Sequence, residues 1–243
     1  MSHLMLLPLL CVGVSVSKGA DLQTRIIRGE PCERPFHVKL RVTAGGSSSL
    51  CGGSLISDRW ILTAAHCLKP GRTMFANLPV HPGSPAQEVE ITAEPVIYTD
   101  KDDNSRTRSH DLMLLQLPSP SDSQPVALPD CEYQPKMVEI AGHAATTGGP
   151  NDERNTEVVD CEDLQNTLQT LFPKVYRVKV YQHWFCGKSP TVDGDSGGGV
   201  VYKDKIYGVI SFLGDPDRVC RKAAAFMDLC NPEYATWINQ TIT

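Results

Sequence analysis

Three short stretches of this chain hold side chains suited to acyl transfer. The first is Thr191-Val-Asp-Gly-Asp-Ser-Gly-Gly-Gly199, a serine set among glycines. Glycines let a backbone turn tightly, so that successive N–H groups and one hydroxyl converge on a small volume. A nucleophile beside donors for a developing oxyanion is what attack on a carbonyl requires. The second is Trp60-Ile-Leu-Thr-Ala-Ala-His-Cys67, which places His66 just after an apolar run. The third is His110-Asp-Leu-Met-Leu-Leu-Gln-Leu117, in which Asp111 opens an apolar strand. A serine needs a base, and an imidazole needs a partner that fixes its tautomer.

Each stretch also has a plainer use. Gly/Ser/Asp clusters form turns, a lone histidine is commonly structural, and an aspartate at a strand edge caps a turn. Other chemistries have less support. No Cys/His grouping shows zinc spacing, and the acidic run 99–104 (TDKDDN) does not follow a calcium-loop pattern, so no metal and no cofactor is expected. His37, His81, His110, His143 and His183 lack motif context and read as structural or surface residues.

The elements that must position these residues read as β. The 243 residues suffice for one large all-β domain or two small lobes, and a net charge of −5 gives no footing for nucleic acid or an anionic membrane. Leu4 to Val16 is apolar but too short to span a bilayer, and residues 1–17 read as a signal peptide. No later stretch approaches the ~20 apolar residues of a membrane helix, so a secreted, extracellular product is expected. Nine cysteines suit that compartment; Cys11 leaves with the signal, and the remaining eight permit 105 pairings.

Short strands are expected at Phe36–Val42, Leu50–Ile56, Trp60–Thr63, Val89–Ile97, Leu112–Leu117, Met137–Ala141, Val175–Val180, Gly199–Tyr202 and Ile206–Phe212. Many short strands broken by turns indicate a barrel or sandwich. Tyr234, Trp237, Ile238 and Ile242 recur at helical spacing, so a helix is expected over Pro232–Ile242. Asn239-Gln-Thr241 is a glycosylation sequon. Residues 18–25 are polar and end in Arg25, ahead of Ile26-Ile-Arg-Gly29. They read as an activation peptide, whose removal creates a new amino terminus at Ile26. A buried ammonium needs a carboxylate, and Asp195 is the candidate.

CGGSLIS (51–57), LTAAHC (62–67), DLMLL (111–115) and GDSGG (194–198) together resemble the chymotrypsin-like (trypsin-like) serine proteases. The resemblance extends from Ile26 to the C-terminus. It implies an all-β fold of two six-stranded antiparallel β-barrels with a C-terminal helix, formed by residues 26–243. It further implies Ser196 as nucleophile, His66 as general base and then acid, and Asp111 as the carboxylate that orients His66. The oxyanion hole would be the N–H groups of Gly194 and Ser196, Ser211 would bond the aspartate, and Ile26 would pair with Asp195. The implied disulfides are Cys51–Cys67, Cys32–Cys161 and Cys131–Cys230, with Cys186–Cys220 formed from the remainder.

Departures fall in the substrate pocket, assigned to Pro190, Thr191, Asp193, Ser211, Phe212, Leu213 and Ala224. Pro190 stands where trypsin-like members place the aspartate that selects Arg or Lys. Leu213 and Ala224 stand where the family has pocket-wall glycines. The expected function is therefore a secreted serine endopeptidase made as a zymogen, with a P1 preference away from Arg and Lys. The alternative is a catalytically weak or inactive homologue that acts as a binding protein. Expected partners are protein or peptide substrates, an activating protease cutting after Arg25 and protein inhibitors, with neither nucleic acid nor membrane.

Overall fold

The computed structural model describes residues 30–31, 34–78, 87–142, 152–188, 196–213 and 223–243. Strand β1 is Glu30–Pro31, followed by β2 (His37–Ala44), β3 (Ser47–Leu55) and β4 (Trp60–Thr63). Gly45 and Gly46 take positive φ between β2 and β3, the two-residue turn that suits the twist of a hairpin. A single 3-10 turn, Ala65–Cys67, leads to β5 (Thr73–Leu78), β6 (Gln87–Glu90), β7 (Val96–Lys101) and β8 (Thr107–Gln116). These strands make an antiparallel sheet in the order β6-β5-β2-β3-β4-β8-β7.

The two edges of that sheet are consecutive in the chain. The single strand expected at Val89–Ile97 is interrupted at residues 91–95, and its halves, β6 and β7, pair with opposite edges. The run Leu112–Leu115 in β8 is fully buried, so both faces of that strand are covered. With Leu40, Leu55, Ile61 and Leu62 it fills the first core.

The second lobe contains β9 (Met137–Gly142), β10 (Asp152–Val159), β11 (Trp184–Gly187), β12 (Gly199–Tyr202), β13 (Lys205–Leu213) and β14 (Ala224–Asp228). Pairing runs β9-β10-β11-β14-β13-β12 and returns to β9, which closes a six-stranded barrel; β1 adds to β10. Val138, Ile140, Val200, Ile210 and Phe226 fill it. Between β10 and β11 lie α1 (Glu162–Leu171) and α2 (Pro173–Lys179).

Helix α2 replaces the strand expected at Val175–Val180. Alternating valines suggested period two, but Pro173 starts a helix at its first turn. Val175, Val178 and Val180 are exposed, so the alternation buries nothing. The C-terminal helix, α3 (Pro232–Ile242), occupies the expected range. Asn231 caps it, its side chain accepting from the N–H groups of Glu233 and Tyr234, with Pro232 at the first position. It docks on the first sheet through Tyr98, whose ring meets Tyr234 at 4.9 Å and Trp237 at 5.5 Å. His110 is buried in the same cluster.

Three disulfides join described residues: Cys51–Cys67, Cys131–Cys230 and Cys161–Cys186. The last replaces two expected pairings, Cys32–Cys161 and Cys186–Cys220. The cause is register: Val159 of β10 lies opposite Cys186 of β11. Cys161, two residues on, therefore has its Cα 5.4 Å from that of Cys186. Cys32 and Cys220 lie outside the described residues.

The lobes meet where the turn 196–198 presses on the first sheet. Gly52 of β3 donates its N–H to the Ser196 carbonyl at 2.7 Å, and Gly197 donates to Ile210 of β13 at 2.7 Å. Gly197 has φ +84°, and a side chain there would overlap Thr63 Oγ1 and the Gly52 carbonyl. Gly71 has φ +68° but open space around it. Gly197→Ala is therefore expected to cost about 3 kcal/mol or more, a fall in Tm on the order of 6–10 °C. Gly71→Ala should cost about 1 kcal/mol, and thermal unfolding of both variants measures the difference. Peptide mapping without reduction is expected to recover Cys161 joined to Cys186.

Candidate active site

Asp111 lies in β8, 5% exposed, and a buried carboxylate requires donors. Its Oδ1 accepts the backbone N–H of His66 at 2.9 Å. The ring Nδ1 of His66 lies 3.0 Å from Oδ1 and 2.9 Å from Oδ2. The Ser211 hydroxyl, from β13, donates to Oδ2. Lys179, the last residue of α2, places its ammonium 3.0 Å from the same oxygen. Burial alone would push the Asp111 carboxyl up. The His66 hydrogen bond, the charges of His66 and Lys179 and the Ser211 hydroxyl reverse that effect and hold it well below the usual carboxylate range.

His66 is presented by the 3-10 turn that follows β4. The Cys51–Cys67 bridge ties that turn to β3, with Cα atoms 6.2 Å apart. Closing a loop of this size contributes about 3 kcal/mol by the chain-entropy estimate. A neutral ring that donates from Nδ1 to Asp111 leaves its Nε2 lone pair available as a base. The side chain is 38% exposed, so the ring is open to solvent on one side.

Ser196 enters from the second lobe. Its carbonyl is held by Gly52 and lies 3.7 Å from Cys67 Sγ, beside the residue that follows His66. Among the described residues no hydrogen bond joins Ser196 to the imidazole; such contacts often tighten only around substrate. The structure thus brings His66, Asp111 and Ser211 into one hydrogen-bonded group and sets the Ser196 backbone against its edge. Gly194, Asp195, Ile26, Pro190, Thr191 and Asp193 lie outside the described residues. Of the remaining pocket candidates, Leu213 and Ala224 are cross-strand partners, and Phe212 pairs with Ala225.

Two residues were not singled out by the sequence. Gln182 accepts the N–H of Asp111 at 2.9 Å, and its amide donates to the Val178 carbonyl. Lys179 reaches Asp111 across 68 residues of sequence, a contact that no local pattern announces. Cys51, His66 and Cys67 cluster closely enough to suggest metal ligands, but both sulfurs belong to the disulfide and offer no thiolate.

The architecture and the sequence agree with known proteins. The sequence profile of the family described as Trypsin matches residues 26–238. Trypsin-4 of Rattus norvegicus is 30% identical over 248 residues, 95% of each chain. Kallikrein-8 of Mus musculus is 28% identical over 235 residues, 90% of this chain and 87% of its own. Among solved structures, GrC superposes with a TM-score of 0.67 at 24% identity, covering 88% of this chain and 97% of that one. The scabies mite inactivated protease paralogue S-D1 gives 0.67 at 19%, covering 89% and 97%. With two antiparallel β lobes, a C-terminal helix and a family profile spanning nearly all of the chain beyond residue 25, this protein belongs to the trypsin family.

Proposed function

We propose that the chain is a secreted serine endopeptidase made as a zymogen, which hydrolyses peptide bonds through Ser196, His66 and Asp111. The observation that supports this best is the buried Asp111 carboxylate bonded to both the ring and the backbone of His66. A histidine held at Nδ1 by an ionised carboxylate presents a base at Nε2. That base takes the proton of Ser196 as its Oγ attacks the scissile carbonyl. The imidazolium formed is stabilised by Asp111, and the oxyanion by the N–H groups of Gly194 and Ser196. Collapse of the tetrahedral adduct expels the amine, which receives the proton from His66. Water, deprotonated by the same ring, then hydrolyses the acyl-enzyme.

Residues 1–17 act as a signal peptide and 18–25 as an activation peptide. Cleavage after Arg25 by another protease frees the Ile26 ammonium to pair with Asp195. That pairing orders the segment holding Gly194. The pocket, assigned to Pro190, Thr191, Asp193, Ser211, Phe212, Leu213 and Ala224, has no aspartate at Pro190 and favours an uncharged P1 residue. Burying a P1 guanidinium at the base of the pocket without a counter-charge there is costly, and Asp193 is assigned to the mouth. The substrates are proteins or peptides.

Labelling with an active-site-directed organofluorophosphonate tests this reading. After cleavage behind Arg25, Ser196 is expected to be modified, and Ser196→Ala or His66→Ala to abolish the reaction. Asp111→Asn, which favours the wrong tautomer, is expected to lower kcat about 10⁴-fold. Peptides with Ala or Val at P1 are expected to be cleaved at least about tenfold faster than those with Arg or Lys, a difference of ~1.4 kcal/mol. Correctly processed protein that takes up no label would instead be a binding homologue.

A further inference from the structure

The contact between Lys179 and Asp111 has no part in the chemistry above. The Asp111 Oδ2 atom serves two nitrogen groups: His66 Nδ1 at 2.9 Å and Lys179 Nζ at 3.0 Å. The ammonium also lies 3.4 Å from Ser211 Oγ and 4.7 Å from the centre of the Phe212 ring. Its side chain is 13% exposed, so the pair is largely shielded from solvent. The placement is built rather than incidental. The Trp184 indole donates to the Lys179 carbonyl at 3.0 Å, and Gln182 ties the end of α2 to the backbone of Asp111.

Resting on the protease reading, we propose that Lys179 is a positioning residue of the triad. Its ammonium holds the Asp111 carboxylate in place and neutralises part of the charge that would otherwise favour an imidazolium at His66. The other titratable groups on the packed elements face elsewhere. His110 and Arg108 of β8 gather on Asp100 of β7, and the Tyr181 ring stacks on Arg108. His183 lies against Tyr234. Among the described residues, Asp111 therefore meets one ammonium, Lys179, and one ring, His66, that becomes a cation only on taking a proton.

Removing one cation leaves a full negative charge facing the ring. The ring then stays protonated to higher pH, and the acid limb of the activity profile moves up. Charges this close in a shielded site interact by roughly one pH unit, a tenfold change in the protonation ratio. The test compares wild type, Lys179→Met and Lys179→Arg, each cleaved behind Arg25, by the rate of organofluorophosphonate labelling against pH. The limb is expected to rise by about one unit in Lys179→Met and to stay near wild type in Lys179→Arg. Lys179→Gln serves if the methionine variant does not fold. A lower Tm with an unmoved limb would overturn the proposal, since a merely structural lysine gives that result. If no variant is labelled, the protease reading fails. The His66 ring titration followed by NMR on the intact chain then decides: an upward shift in Lys179→Met supports the role, and an unchanged midpoint overturns it.

Discussion

The site depends on a place where one lobe leaves no room for a side chain from the other. Gly197 lies against Thr63 and Gly52, and the flanking Ser196 carbonyl accepts from Gly52. Two lobes could pack at many angles if only apolar surface held them. Here a backbone hydrogen bond and a close steric fit at one turn fix the serine relative to the strand that delivers His66. The relation is set by backbone atoms, which have less freedom to drift than side chains.

Electrostatics imposes the second constraint. A carboxylate with 5% exposure is stable only if its hydrogen-bonding capacity is met. Asp111 meets it with donors from three separate segments: the 3-10 turn, β13 and the end of α2. Each of these segments is itself anchored, by the Cys51–Cys67 bridge, by pairing in the closed barrel and by Gln182. The buried charge thus acts as a hub that the surrounding segments must agree upon. Uncompensated, it would cost several kcal/mol.

Much of this was legible in the sequence because its signals are local. Trp60–Thr63 and Pro232–Ile242 appear in the structure with the expected bounds. The first has a compact apolar run, and the second has a cap, a proline and helical spacing. The spacing of motifs around His66, Asp111 and Ser196 pointed to a family that the profile match supports. Illegible features were those decided at a distance. The valines of 175–180 alternate as a strand would, yet no sheet edge receives them. Cys161 pairs with Cys186 because β10 and β11 share a register, which cysteine spacing does not encode. Lys179 belongs to the same class: its importance lies in a carboxylate met only after the chain has folded back.

The docking of α3 has a consequence for how the molecule is made. Tyr98 belongs to the amino-terminal half, yet its ring packs on Tyr234 and Trp237, and Tyr234 and Ile238 share a core with Leu40 and Leu112. Residues 232–242 are therefore needed to finish the first lobe, although its strands lie within residues 37–116. That lobe cannot complete its interior before α3 emerges, however early its own strands do. Closure of the whole must wait until α3 has been synthesised, and the apolar surface it covers stays open until that helix docks.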